Sequence, residues 1–264
     1  MLEPDRDGLV RTDALISAID PTVRLVAISD VQSASGHRVD VAAIIRRCHE
    51  VGAQVFVNLT QSLGVIQYDI SDADYVAVHG YKWLCAPRGT TCLHIRPDHC
   101  ADVAPLAPNW KNAADLHGPI GAEHPGSYAQ LYGGPLALWP DARRLDASLA
   151  WMPWVGARAA LDLLATLSPT MRETRSLALA RSFRTGASHL AFRVVPEELP
   201  THLVALDCGT EAEAAALSAR LARRRVIVSA RGSRVRFGFH AFNDAGDVAR
   251  ALDCLTGASD AEDP

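Results

Sequence analysis

Apolar and polar positions alternate along the chain in a way that separates strands from helices. Val23 to Ser29 (VRLVAIS) is a near-continuous apolar run of strand length, followed by a loop through Gly36. A helix is predicted from Asp40: this residue is a good N-cap, Val41, Ile44, Ile45 and Cys48 recur at helical spacing, and Gly52 suits the stop. Gln54 to Asn58 (QVFVN) follows at once as a second strand. Strand, helix and strand in this order form a βαβ unit, which predicts parallel strands covered on both faces by helices. Two more strands are predicted at Asp74–Val78 and Thr91–Arg96, and they flank His79 to Thr90, a loop rich in Gly, Pro and aromatic residues. In open α/β sheets, loops at the carboxyl ends of strands are where ligands bind.

Beyond the loop the periodicity fades. Ala101 to Pro140 carries frequent Pro and Gly and reads as an irregular connection over the surface or at a subunit contact. Helical spacing returns from about Asp141 to Leu167 and from Thr170 to about Ala187, with Pro169 between. The remainder predicts a strand at His202–Cys208, an Ala-rich helix at Glu211–Arg224, strands at Val226–Ser229 and Arg234–Phe239, and a helix after Asn243 to about Leu255. This βαββα tail has the size of a small domain. The fold class is α/β, without an internal repeat.

Composition narrows the function. With 264 residues, 48% hydrophobic and 21% charged, the chain has the balance of a globular protein. The net charge of −4 is spread along the sequence, and the Arg-rich stretches at Arg143–Arg144 and Arg220–Arg225 lie in helical surroundings without interleaved aromatics, which argues against nucleic acid as a partner. No apolar run approaches the roughly 20 residues that span a bilayer, and the start lacks the basic and apolar regions of a secretion signal, so no membrane role and a cytoplasmic location are expected. Cys48, Cys85, Cys92, Cys100, Cys208 and Cys254 form no C-x-x-C pair and are expected to be reduced, packed thiols. The histidines, among them His94, His99, His117 and His124, show no metal-ligand spacing and are read as ordinary loop and strand residues.

The stretch with the most chemistry is Val55 to Gly89, VFVNLTQSLGVIQYDISDADYVAVHGYKWLCAPRG. It places Lys82 between Tyr81 and Trp83 on a loop between buried strands, with Gly80 before and Pro87-Arg88-Gly89 after. A lysine beside two aromatics is, by itself, usually a surface residue that snorkels. The whole segment, however, resembles the lysine loop of the class V aminotransferases and cysteine desulfurases. The likeness extends to ISDVQSASG (28–36), RLDASLAWMPWVGARAALDLL (144–164) and RVRFGFHAFND (234–244).

That resemblance implies a fold type I, PLP transferase-like architecture (the aspartate aminotransferase fold), with a partial large domain over 1–145, connecting long helices over 146–187 and a small C-terminal α/β domain over 188–264. It implies pyridoxal 5'-phosphate (PLP) as cofactor, an amino acid as substrate, and Lys82 as the catalytic residue forming the internal aldimine, because a desolvated amine can attack a carbonyl and later shuttle a proton. Gln61 falls where the family bonds the cofactor's phenolic oxygen, and His79 and Tyr81 where it contacts the phosphate. Arg236 falls where a planar bidentate donor holds the substrate carboxylate. For Gln61 a plain helix cap and for Arg236 a solvent-facing strand arginine remain the competing readings.

The chain departs from the family in three ways. Asn58 stands where the family has an aspartate paired with the pyridine nitrogen, and an amide cannot hold that nitrogen's proton by charge. Asp30 replaces the histidine of a Ser-His-Val-Gln pattern. The sequence begins near the middle of the family's large domain, which implies an N-terminally truncated form, a misplaced start, or a partner supplying the missing segment. The family's reactions remain open as transamination, C–S lyase or epimerase chemistry, in a homodimer. Desulfuration is disfavoured because the loop Ser229–Arg234 has no cysteine. The alternative is a catalytically impaired or truncated paralogue acting as a structural or regulatory subunit. A nucleotide-dependent oxidoreductase is set aside, since no G-x-G-x-x-G follows a predicted strand.

Overall fold

The computed structural model describes residues 2–106, 109, 111–114, 137–147 and 150–256. It holds two sheets. The first is four-stranded, in the order β1 (Leu25–Ser29), β2 (Gln54–Asn58), β3 (Tyr75–His79), β4 (Thr91–Ile95). β1, β2 and β3 run parallel, with Leu25 opposite Gln54 and Phe56 opposite Tyr75, and β4 returns antiparallel with Thr91 opposite His79. The second is three-stranded and antiparallel, in the order β5 (Leu203–Asp207), β7 (Arg234–Gly238), β6 (Ser229–Arg231).

The crossover from β1 to β2 is α2 (Val41–Val51), ended as its sequence predicts. The Asp40 side chain accepts from the Ala43 amide, and Gly52 closes the helix in the left-handed region at φ 75°. A short helix, α1 (Thr12–Ala18), precedes β1 and was not expected from the apolar spacing. Its first residue is fixed by distant groups: the Thr12 amide donates to Glu198, and its hydroxyl accepts from the Asp40 amide.

Three expectations need correction. β1, an edge strand with β2 its only partner among the described residues, is not covered on both faces: none of its residues is buried and Leu25 is 52% exposed, whereas Val55 and Val57 on β2 are buried. The helical spacing from Asp141 resolves into a 3-10 turn at Ala142–Leu145, ended by extended Asp146, and a separate helix α3 (Trp151–Ala165). The strand expected at Val226–Ser229 begins three residues later. Arg225 adopts φ 61° and the Val226 amide donates to Leu221 O, so these residues finish the helix α5 (Glu211–Arg223) instead of pairing.

Pro169 is not a gap between helices but the first residue of α4 (Pro169–His189), where its missing N–H is harmless, after the Ser168 cap. α4, α5 and the last helix α6 (Ala245–Thr256) pack on the second sheet around Phe183, Leu206, Leu221, Val235 and Phe237. The first sheet has its own core around Ile44, Val55, Val57 and Leu59. A small cluster of Val31, Val65, Ile66 and Leu203 joins the two. Gly36 belongs to this seam: a Cβ there would lie 2.8 Å from Leu203 Cβ and O.

Cys48, Cys100 and Cys254 are buried, but Cys85 and Cys92 are exposed, one on the loop after Lys82 and one on the edge strand β4. All six are free thiols. His99 is more than an ordinary residue. Together with Arg96 it binds the buried Asp74 carboxylate, at 2.9 and 3.0 Å, while the Val55 amide donates to the same group at 2.7 Å. This cluster ties β2, β3 and the 3-10 turn at Pro97–Asp102 together, at the sheet end remote from the loop of Lys82. His117, His124 and most of the expected irregular connection lie outside the described residues. No described helix is long and apolar enough to cross a membrane.

Candidate active site

Parallel strands deliver their carboxyl ends to one edge, and there β1 ends at Ser29, β2 at Asn58 and β3 at His79. Backbone and hydroxyl bonds lock these ends together. The Leu59 amide donates to Ala77 O at 3.0 Å, and the His79 amide donates to the Thr60 hydroxyl at 3.0 Å. The loop from Gly80 to Thr90 then closes on itself: Gly80 N donates to Thr90 O, Ala86 N to Gly80 O, and the Thr90 hydroxyl to Pro87 O. Lys82 sits half-buried on this loop.

Its amine is held below the ordinary lysine pKa, first by burial and then by the positive charges of Arg236, Arg231 and Arg88. Arg88 lies over the Tyr81 ring at 4.5 Å and the Lys82 amine over the same ring at 5.6 Å. Trp83, the next residue, is wedged into the second sheet. Its ring meets His202 edge-on at 4.1 Å, stacks on His240 at 5.9 Å, and fills the space beside Gly238, where a Cβ would lie 2.9 Å away. Its carbonyl accepts from His240 Nε2 at 3.0 Å. Behind it, Gly64 at φ 108° packs so closely that a Cβ would lie 2.4 Å from Trp83 O.

The expected site residues are placed as follows. Asn58 is half-buried and its Oδ1 accepts from the Thr60 amide at 3.0 Å, so Nδ2 remains its outward donor. Gln61 is buried, and its Oε1 has no partner among the described residues. His79 is exposed, with Nδ1 2.8 Å from the Thr91 hydroxyl and its ring 5.7 Å from that of Tyr81. Arg236 comes from β7 of the second sheet. It donates through Nη1 to Ser33 O, and to Ser33 Oγ at 3.1 Å, on the loop after β1. It is half-buried, not a solvent-facing strand residue, and burial together with Arg231 lowers its pKa.

Further groups line this site, among them Asp30, which the sequence marks only as a departure from the family pattern. Asp30 is buried beside Asn58, its amide bonded to Asn58 O at 3.4 Å, and its carboxylate accepts from the Tyr68 hydroxyl. Burial raises the Asp30 pKa against the bonds from Ser62 and Tyr68, and burial also pushes the Tyr68 hydroxyl up. His202 is fully buried and drawn down to about 3 by loss of water. Arg231 had a readable signal, since Arg231, Arg234 and Arg236 alternate across the Gly232 turn.

The arrangement sets an amine of lowered basicity at the carboxyl edge of a parallel sheet, within electrostatic reach of a guanidinium from another sheet. Residues 1–125 match the family aminotransferase class-V. The chain is 33% identical over 108 residues to a probable cysteine desulfurase of Methanothermobacter thermautotrophicus, covering 40% of this chain and 27% of that protein. It is 26% identical over 262 residues to an isopenicillin N epimerase of Streptomyces clavuligerus, covering 93% of this chain and 64% of that protein. Among solved structures it overlays on the apo cysteine desulfurase of Thermococcus onnurineus NA1 with a TM-score of 0.80 at 19% identity, over 97% of this chain and 65% of that one. A cystine C–S lyase in complex with cysteine persulfide gives a TM-score of 0.77 at 22% identity, over 92% and 64%. The fold is therefore that of these solved structures, the fold type I architecture of PLP enzymes, and over its first 125 residues the chain matches the aminotransferase class-V family. It spans less than two thirds of each of these proteins.

Proposed function

We propose that the protein is a PLP-dependent enzyme that acts on an amino acid through Lys82, by transamination, C–S lyase or epimerase chemistry. The observation that carries this reading is the Lys82 amine, weakened as a base by burial and by three guanidinium groups, at the carboxyl ends of β2 and β3. The donor set suits the cofactor. Gln61 is buried with its acceptor Oε1 unpartnered among the described residues, Asn58 keeps an N–H donor on Nδ2, and His79 and Tyr81 stand on the loop of Lys82 beside Arg88. What PLP supplies when bound is an electron sink for a bond breaking at the substrate α-carbon.

The residues divide the remaining work. Lys82 Nζ would hold the cofactor, and an amine of lowered basicity there would serve as the base that carries a proton to or from the substrate α-carbon. Arg236 orients the substrate by its carboxylate: Nη1 is engaged by Ser33, and Nε and Nη2 make no bond among the described residues, which leaves a two-pronged edge. Asn58 would offer the ring nitrogen its Nδ2 donor, and a neutral amide could not keep that nitrogen charged.

The chain has two lysines, Lys82 and Lys111, so one labelling experiment decides the assignment. Incubation with PLP, borohydride reduction and peptide mapping should place the adduct on Lys82. An adduct on Lys111 with Lys82 unmodified overturns the reading. Asn58 favours a second reading, a catalytically impaired paralogue with a structural or regulatory role; it predicts a Lys82 adduct without turnover of any amino acid. We further propose a homodimer, or assembly with a partner chain, because α3 exposes Trp151, Met152, Val155 and Leu163 along its length. A monomer in light scattering, in the presence of PLP, would count against either assembly.

A further inference from the structure

The cations around Lys82 outnumber the anions that the proposed reaction brings. On the β6–β7 ribbon Arg231 lies directly opposite Arg234, and Ser229 opposite Arg236, so Arg231, Arg234 and Arg236 share one face. Arg234 is consumed structurally, donating to the carbonyl of Asp7. The carboxylates at that end, Asp7 and Asp207, are 3.5 and 3.4 Å from Arg193. Beside Arg234, across the ribbon, Arg231 donates to the carbonyl of its neighbour Ala230, at 3.1 Å. Glu211 approaches the Gly232 turn but forms no ion pair with Arg231. Among the described residues none of Lys82, Arg88, Arg231 and Arg236 has a carboxylate partner within 4.0 Å.

Like charges gathered without counter-ions repel, and an anion that binds among them relieves the repulsion. The anions can be matched one to one. Arg88, stacked on Tyr81 of the lysine loop, belongs with the cofactor phosphate, and Arg236, tied to the loop after β1, belongs with the substrate α-carboxylate. Arg231 is left over. Its Cβ lies diagonally across the ribbon from that of Arg236, about 7 Å away in an antiparallel pair. The short methylene chain of a dicarboxylic amino acid covers this span.

We propose that the site takes a dicarboxylic amino acid, with its α-carboxylate on Arg236 and its distal carboxylate on Arg231. The inference rests on the reading of Lys82 and Arg236 given above. The depressed basicity of Lys82, to which Arg231 contributes more than Arg88, agrees with Arg231 lying within electrostatic reach of the reacting centre.

The test is isothermal titration of the full chain, at low salt to limit screening, with and without PLP, using L-glutamate and L-norvaline, which have equal carbon chains and differ in the distal carboxylate. Glutamate should bind at least tenfold more tightly in one or both conditions. Arg231→Gln should abolish that advantage and leave norvaline unchanged, and Arg236→Gln should weaken both. Equal affinities, no binding of either, or an advantage that survives Arg231→Gln overturns the proposal. Inorganic phosphate is the third ligand: affinity for it unchanged by Arg231→Gln supports the assignment, and affinity lost in that variant gives Arg231 to the phosphate and overturns it. Borohydride mapping is read separately. A Lys82 adduct without glutamate preference sinks this inference alone, and absence of the adduct sinks the functional reading.

Discussion

Asn58 commits its carbonyl oxygen to the Thr60 amide, and this bond decides what the side chain can offer a ligand. Asn58→Asp would keep one oxygen on Thr60 N–H and put a second, charged oxygen where the amide nitrogen stands. A hydrogen bond to a charged group contributes about 1.5–3 kcal/mol, and one that strengthens as charge develops at the α-carbon appears in the rate. Turnover of an amino-acid substrate should therefore rise by roughly ten- to a hundredfold, measured as kcat with cofactor loading matched between variant and parent. An unchanged kcat would mean that Asn58 does not face the ring nitrogen. At this scale the sequence was legible where a motif is local. Lys82, Gln61 and Asn58 were named from the resemblance of Val55–Gly89 to a family's lysine loop, a pattern contained in one short stretch of chain. Arg231 and His202 were not, since their relation to Lys82 is made only when β5, β6 and β7 dock against the first sheet.

At the scale of elements, the helices with explicit start and stop chemistry were read correctly, and those set by tertiary contact were not. α2 has its Asp40 cap and its Gly52 stop, and α5 has the Thr210–Glu213 capping box. α1 lacks a side-chain cap and depends on Glu198 and Asp40 from elsewhere, so local spacing carries little of it. The loop of Lys82 depends on backbone packing in the same way. Gly64 combines φ 108° with a Cβ position 2.4 Å from Trp83 O, a contact in which neither backbone can yield freely. Gly64→Ala should cost more than about 1 kcal/mol in urea unfolding, since Ala is strained at positive φ even in open space. It should also slow PLP labelling of Lys82, because the Trp83 carbonyl moves with the amine. Unchanged stability would mean that the loop is not seated against Gly64.

For the whole molecule, the buried histidines at the seam set the response to acid. His202, His37 and His240 are all held below the ordinary histidine pKa by burial, His202 to about 3. Below the unfolded value near 6.5 the unfolded chain takes up protons that the native state refuses, so stability is full above that pH and falls as acid is added. For His202 alone the slope approaches about 1.4 kcal/mol per pH unit down to its folded pKa. Asp30, raised by burial, acts with the opposite sign above its unfolded value, one carboxyl against three imidazoles. Urea midpoints should therefore drop between pH 7 and pH 5, and a midpoint that is flat or rises over that window would contradict the burial of these rings. Trp83 adds a mechanical consequence to the same seam. β7 carries Arg236, and its chain continues through Gly238 to His240, the residues that grip the Trp83 ring and carbonyl. A strand that shifts as Arg236 closes on a carboxylate must shift its hold on Trp83, one peptide bond from Lys82. β7 would thus work as a lever between the two ends of a molecule held by Arg236 and Lys82, and a stroke that seated the acid group would also move the amine.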